Sequence, residues 1–170
     1  MYSSSDPYRA NPVGRDARLA GYAPVARSKP PRLTRGDRRD LLSQLSGYPS
    51  LSTCDPDDLA ALIKVSHPCS LPAGWAMMAE STPADFCYVI LKGSAAVYRS
   101  GVRIAELGAG ALVGEMAVLT GDLRSATVTT STRVSALAIE NSTLKTLLRK
   151  RPGLDQAVRR QVLERTPASR

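Results

Sequence analysis

Between residues 68 and 140 the apolar residues come in short runs, each closed by glycine, proline, serine or aspartate. Leu71 to Gly74 reads as a bend, Trp75 to Ala79 as a run and Pro83 to Asp85 as a turn. Further runs are Phe86 to Leu91, Ala95 to Tyr98 and Val102 to Leu107, parted by Lys92-Gly93 and Ser100-Gly101. Thr127 to Thr132 and Val134 to Ile139 finish the series after a stretch holding Gly108, Gly110 and Gly114. Runs this short cannot bury a helical face, but they suit strands, and Thr127-Val128-Thr129 and Val134-Ser135-Ala136-Leu137 show period-two alternation. The pattern predicts a mainly β fold, an antiparallel β-roll or jelly-roll-like barrel, with flanking N- and C-terminal helices.

The helices are written on either side. Gly36 to Gly47 places Leu41, Leu42 and Leu45 on one face, and Asp55-Pro56 opens a helix carrying Leu59, Leu62 and Ile63 that stops before Pro68. After Glu140 the helical period returns with Leu144, Leu147 and Leu148. Pro152 and Gly153 interrupt it, and Leu154, Val158 and Val162 form a second stripe beside Arg159, Arg160 and Arg165. These faces are too apolar to stand alone, so the helices are expected to pack on one end of the barrel. The resulting division is a flexible basic arm over 1–36 and one domain over 37–170. Within it lie N-terminal helices (37–66), the roll (67–140), C-terminal helices (141–165) and a tail (166–170).

Charge is divided in the same way. Residues 1–40 carry 9 basic and 4 acidic side chains, 41–144 carry 6 and 9, and 145–170 carry 8 and 2. The overall +8 therefore belongs to the ends, while the body is mildly acidic. Basic ends without interleaved aromatics form no stacking groove or reading helix, which disfavours nucleic acid as a partner. Cys54, Cys69 and Cys87 form no closely spaced pair, and His67 is the one histidine, which argues against a structural zinc and for a reducing compartment. No stretch approaches the roughly 20 apolar residues of a spanning helix, and the chain reads as cytoplasmic.

One segment carries chemistry: Gly114-Glu115-Met116-Ala117, then Arg124-Ser125-Ala126-Thr127. A helical turn starting near Glu115 has free backbone N–H groups that converge on an anion, and Gly114 lets that backbone approach closely. Arg124 adds a fork of donors for phosphate and Ser125 a hydroxyl. Glu115 repels phosphate but can accept a hydrogen bond from a sugar hydroxyl. The alternative is a plain Gly-rich connection with Glu115 and Arg124 as a surface ion pair. The segment lacks the Gly-Lys-Ser/Thr of a P-loop, and its glycines are spaced wrongly for a dinucleotide fingerprint.

On these residues the chain resembles the cyclic-nucleotide-binding domain family. The match runs from Gly114-Glu115-Met116-Ala117 to Arg124-Ser125-Ala126-Thr127-Val128, the phosphate cassette spanning 114–126. Leu71-Pro72-Ala73-Gly74, Lys92-Gly93 and Leu107-Gly108-Ala109-Gly110 stand where that family has turns, so the likeness covers about residues 50 to 165. It is most similar to the cytoplasmic sensor domains of prokaryotic cyclic-nucleotide-regulated potassium channels. Val113 and Leu123 stand where many members carry an aromatic and a proline. The resemblance implies that Glu115 binds the ribose 2′-OH and that the Met116 and Ala117 N–H groups join Arg124 and Ser125 around the cyclic phosphate. It further implies a backbone contact from Ala126, Thr127 and Val128 beside the purine, and a lid over the base from Val158, Val162 and Leu163; with no aromatic after Tyr98, the cap is aliphatic or one of Arg159, Arg160 and Arg165.

No catalytic constellation accompanies this loop: His67 lies far off in sequence, and Cys87 alternates within a strand as a small core residue. The reading is a non-catalytic sensor of cAMP, or of cGMP, that needs no cofactor and switches the packing of its C-terminal helix. Its protein partner is a second copy or an unidentified protein. The rival reading is an adaptor that keeps the fold, binds nucleotide weakly or not at all, and acts through its basic termini.

Overall fold

The computed structural model describes residues 32–165. The expected arm, apart from 32–36, and the expected tail lie outside the described residues. The first helix, α1 (Arg35–Ser46), begins slightly before the expected Gly36 because Thr34 caps it. The Thr34 hydroxyl accepts from the Asp37 N–H at 3.1 Å, and the Asp37 carboxylate accepts from the Thr34 N–H at 2.8 Å. Asp55 is the N-cap of α2 (Pro56–Val65), but its side chain makes no capping bond. Instead Asp58 turns inward, 8% exposed, toward Arg151 at 3.4 Å.

Eight strands follow: β1 (His67–Leu71), β2 (Ala76–Met78), β3 (Phe86–Lys92), β4 (Ala95–Arg99), β5 (Val102–Leu107), β6 (Leu112–Val113), β7 (Thr127–Thr130) and β8 (Val134–Glu140). They form two four-stranded sheets, ordered β1-β8-β3-β6 and β2-β7-β4-β5, with every pairing antiparallel. The expected roll is therefore present. Two strands go beyond the expected runs. β1 is written His-Pro-Cys-Ser-Leu, without an apolar run, and exists because it pairs residue for residue with β8. β6 is two residues long, held by Tyr88 and Val89 of β3 within the Gly-rich stretch.

Why β3 and β8 are apolar throughout follows from what covers them. Their side chains alternate between two cores. Tyr88, Ile90, Ala136 and Ala138 face the space between the sheets with Trp75, Val97, Val113 and Val128. Cys87, Val89, Leu137 and Ile139 face a second core with Leu45, Leu59, Leu62, Leu144, Leu154 and Val158 of the helices. The helices therefore cover a face of one sheet rather than an end of the barrel. Besides α1 and α2 they are α3 (Glu115–Thr120), α4 (Asn141–Lys150) and α5 (Pro152–Arg165). The other sheet has no such cover: β7 alternates between half-buried and buried residues, and the edge strand β5 is exposed along most of its length.

Candidate functional site

Where the β-roll meets α3 and α5, the chain encloses a cavity of about 470 Å³. Val97, Ile104, Leu107, Val113 and Val128 supply its apolar wall. Its polar floor comes from the run that sequence singled out: Gly114, Glu115, Met116, Ala117, Arg124, Ser125 and Ala126 all line it. The short helix is a real element of six residues, entered through Gly114 at φ 88° and left through Gly121 at φ 76°.

Glu115 and Arg124 are not a surface ion pair. They are 3% and 6% exposed, and they hold different partners. The Arg124 backbone is pinned to the Ser81–Thr82 turn, its N–H donating to the Thr82 carbonyl at 2.9 Å and its carbonyl accepting from Ser81 at 2.8 Å. Its Nη1 donates to the Gly114 carbonyl at 2.9 Å and its Nη2 to the Phe86 carbonyl. The guanidinium is thereby set in one orientation before any ligand arrives. The Cys87 thiol donates to the same Gly114 oxygen at 3.2 Å, and burial pushes that thiol up to about 12.

Glu115 is held from the C-terminal helix. Arg165 Nη1 lies 2.8 Å from Glu115 Oε1 and donates to the Leu112 carbonyl at 2.5 Å, while its Nη2 donates to Gln161 Oε1 at 2.9 Å. Gln161 Oε1 also accepts from the Leu112 N–H at 3.1 Å, so two residues of α5 clamp β6 at the cavity mouth. Burial raises the Glu115 carboxyl above the ordinary carboxylate range, and the Arg165 charge is the strongest influence pulling it back.

Four expected residues stand elsewhere. Thr127 does not line the cavity; its hydroxyl accepts from the Glu80 N–H at 3.0 Å. The expected lid is not where Val158, Val162 and Leu163 sit. Val158 is 1% exposed within the helical core, Val162 is half-buried, Leu163 is 74% exposed, and none lines the cavity. The physical reason is helical phase: the inward stripe of α5 is Leu154, Ala157, Val158 and Gln161, and one more turn carries it to Arg165. Of the expected cap candidates on α5, aliphatic residues or one of Arg159, Arg160 and Arg165, it is Arg165 that lines the cavity. The walls from Met78, Val97, Ile104, Ala105 and Leu107 were not expected, because apolar residues in strands look the same whether they face a core or a ligand, and neither was Arg99, which stands in another strand far from the cassette in sequence.

Residues 68–151 match the model of the cyclic nucleotide-binding domain, and this stretch of the chain belongs to that family. A cyclic nucleotide-gated potassium channel of Mesorhizobium japonicum is 30% identical over 135 residues, covering 79% of this chain and 38% of the channel. Another, from Rhizobium etli, is 33% identical over 107 residues, covering 63% of this chain and 30% of its own length. The chain thus spans roughly a third of these curated relatives. Among solved structures, PKAR CBD2 with Sp-2Cl-cAMPS bound superposes with a TM-score of 0.67 at 20% identity, over 75% of this chain and 85% of that one, a likeness of fold. No helix among the described residues is long and apolar enough to cross a membrane.

Proposed function

We propose that this chain is a non-catalytic cyclic-nucleotide sensor that takes cAMP, with cGMP as the second candidate, into the cavity above α3. The observation that carries this reading is the burial of Glu115 and Arg124 in one apolar cavity with neither paired to the other. A volume of about 470 Å³ suits a small ligand, and apolar walls with a few convergent polar groups are the usual make-up of such sites. Arg124, Ser125 and the first N–H groups of α3 meet the phosphate, Glu115 accepts from the ribose 2′-OH, and Val97, Val128 and Leu107 flank the base.

The switch in this reading runs through Arg165. Because Arg165 holds the same carboxylate that receives the ribose, occupancy of the cavity and docking of the last turn of α5 are linked, and that linkage is reciprocal. A cyclic phosphate adds negative charge beneath the Arg165 guanidinium and draws the turn down.

Calorimetric titration with cAMP and then cGMP, on the unaltered chain and on Arg124→Ala, tests the reading. Saturable micromolar binding is expected, weakened in the variant by about 2 kcal/mol or more, the scale of a lost charge-assisted bond. Deuterium exchange in the last turn of α5 should slow on saturation. Neither heat nor thermal stabilisation with either nucleotide overturns the sensor and returns attention to partners of the basic ends. Binding with unchanged exchange in α5 leaves a binding module without the switch.

A further inference from the structure

Arg99 is the one charged residue of the cavity to which no role has yet fallen. It closes β4, is exposed, and still lines the cavity. Its Nε–H points at the phosphate cassette, donating to the Ser125 carbonyl at 3.4 Å. The register explains the approach: Val97 pairs with Val128 and Tyr98 with Thr127, so the next residue of β4 arrives beside Ala126 and Ser125.

Four charged side chains line this cavity: Arg99, Glu115, Arg124 and Arg165. Glu115 is taken by Arg165 at 2.8 Å. Among the described residues, neither Arg99 nor Arg124 forms an ion pair; both donate to backbone carbonyls. Two guanidinium groups without an ion pair of their own thus line the cavity near Ser125, Arg124 buried in the floor and Arg99 exposed at the rim on the Ser125 carbonyl. A cyclic phosphate is a monoanion whose charge is shared by two exocyclic oxygens.

We infer that Arg99 is a second phosphate-binding residue, taking one exocyclic oxygen from the rim while Arg124 takes the other from the floor. The inference rests on the proposed reading of the cavity as a cyclic-nucleotide site. The two arginines then differ in duty. Arg124 is preorganised and costs the ligand no reorganisation, whereas Arg99 is exposed, draws the anion toward the mouth and closes on it after entry.

The test is the affinity of cAMP for the unaltered chain, Arg99→Gln and Arg99→Lys, each at several salt concentrations. Arg99→Gln should bind about tenfold more weakly, the effect of a charge-assisted contact reduced by solvent exposure. It should also show a shallower salt dependence than the unaltered chain, while Arg99→Lys keeps the steeper slope. Arg99→Gln within twofold of the unaltered chain, or weaker with an unchanged salt slope, overturns this inference alone. No binding by the unaltered chain overturns the cyclic-nucleotide reading and this inference with it. If Arg99→Gln unfolds, Arg99→Met, which keeps the apolar stem and drops the charge, decides: weaker binding with a shallower salt slope supports the inference, and unchanged binding overturns it.

Discussion

Gly114 and Gly101 offer a matched pair of perturbations. Both are left-handed, at φ 88° and φ 80°, so alanine at either position pays about 1 to 2 kcal/mol of backbone strain. Around Gly101 an added Cβ meets nothing within 4 Å, and strain is the whole effect. At Gly114 the same atom would stand 2.4 Å from Arg124 Nη1 and 2.8 Å from the Met78 methyl. Met78 can swing aside, but Arg124 is 6% exposed and its guanidinium is anchored to the Gly114 and Phe86 carbonyls. Moving Nη1 forfeits its charge-assisted bond to the Gly114 carbonyl, at roughly 1.5 to 3 kcal/mol. Gly114→Ala should therefore lose about 3 to 5 kcal/mol, and Gly101→Ala about 1 to 2. Urea unfolding with a shared m-value measures both. Equal losses in the two variants would refute the claim that Gly114 is required by the close approach of Arg124. A Gly114→Ala chain that stays folded should also have lost its affinity for cAMP.

Thr34→Ala removes the hydroxyl that accepts from the Asp37 N–H, leaves the backbone N–H of residue 34 donating to the Asp37 carboxylate, and should cost about 1 kcal/mol, read from the same urea curves. Arg165→Ala leaves a carboxylate with 5% side-chain exposure without its ion pair, while the lost arginine was 29% exposed. The expected loss is about 2 kcal/mol, with faster deuterium exchange in the last turn of α5. Leu163→Ala, in the same turn but 74% exposed, should change neither stability nor exchange. The thiols of Cys69 and Cys87 are both pushed up to about 12 by burial, so at pH 8 the native chain should react slowly with a thiol reagent at these positions. Unfolding should release all three cysteines at once, and rapid native labelling of Cys87 would contradict its packing against the Gly114 carbonyl.

The roll was legible because turn residues break the chain at strand length and because β7 keeps one face toward solvent and one inward. The polar run that lines the cavity was legible because its groups lie in one continuous stretch, so spacing along the chain stood in for spacing in space. β1 was not, since His67-Pro68-Cys69-Ser70 has no strand composition and owes its conformation to β8 beside it. The cavity walls fail for the same kind of reason. Ile104, 50% exposed on the edge strand β5, belongs to the site only because β5 pairs with β4 and β4 with β7. Nothing local to Val102-Arg103-Ile104 distinguishes such a wall from an ordinary exposed edge.

The lid teaches something about α5 itself. Of the aliphatic cover expected from Val158, Val162 and Leu163, Val158 is committed with Leu154 and Ala157 to the helical core at about 1% exposure each. The same stripe then turns polar, and Gln161 and Arg165 spend that polarity on Leu112 and Glu115. One helix face therefore has two regimes: an upstream half fixed by burial and a downstream half tied by three polar contacts to Leu112 and Glu115. Burial of a Leu or Val side chain is worth about 1.5 to 3 kcal/mol and does not respond to nucleotide, whereas an ion pair at the rim of a cavity does. On the proposed reading, displacement of the helix end on ligand binding is therefore expected in the turn after Val158, with Leu154, Ala157 and Val158 as its fixed base.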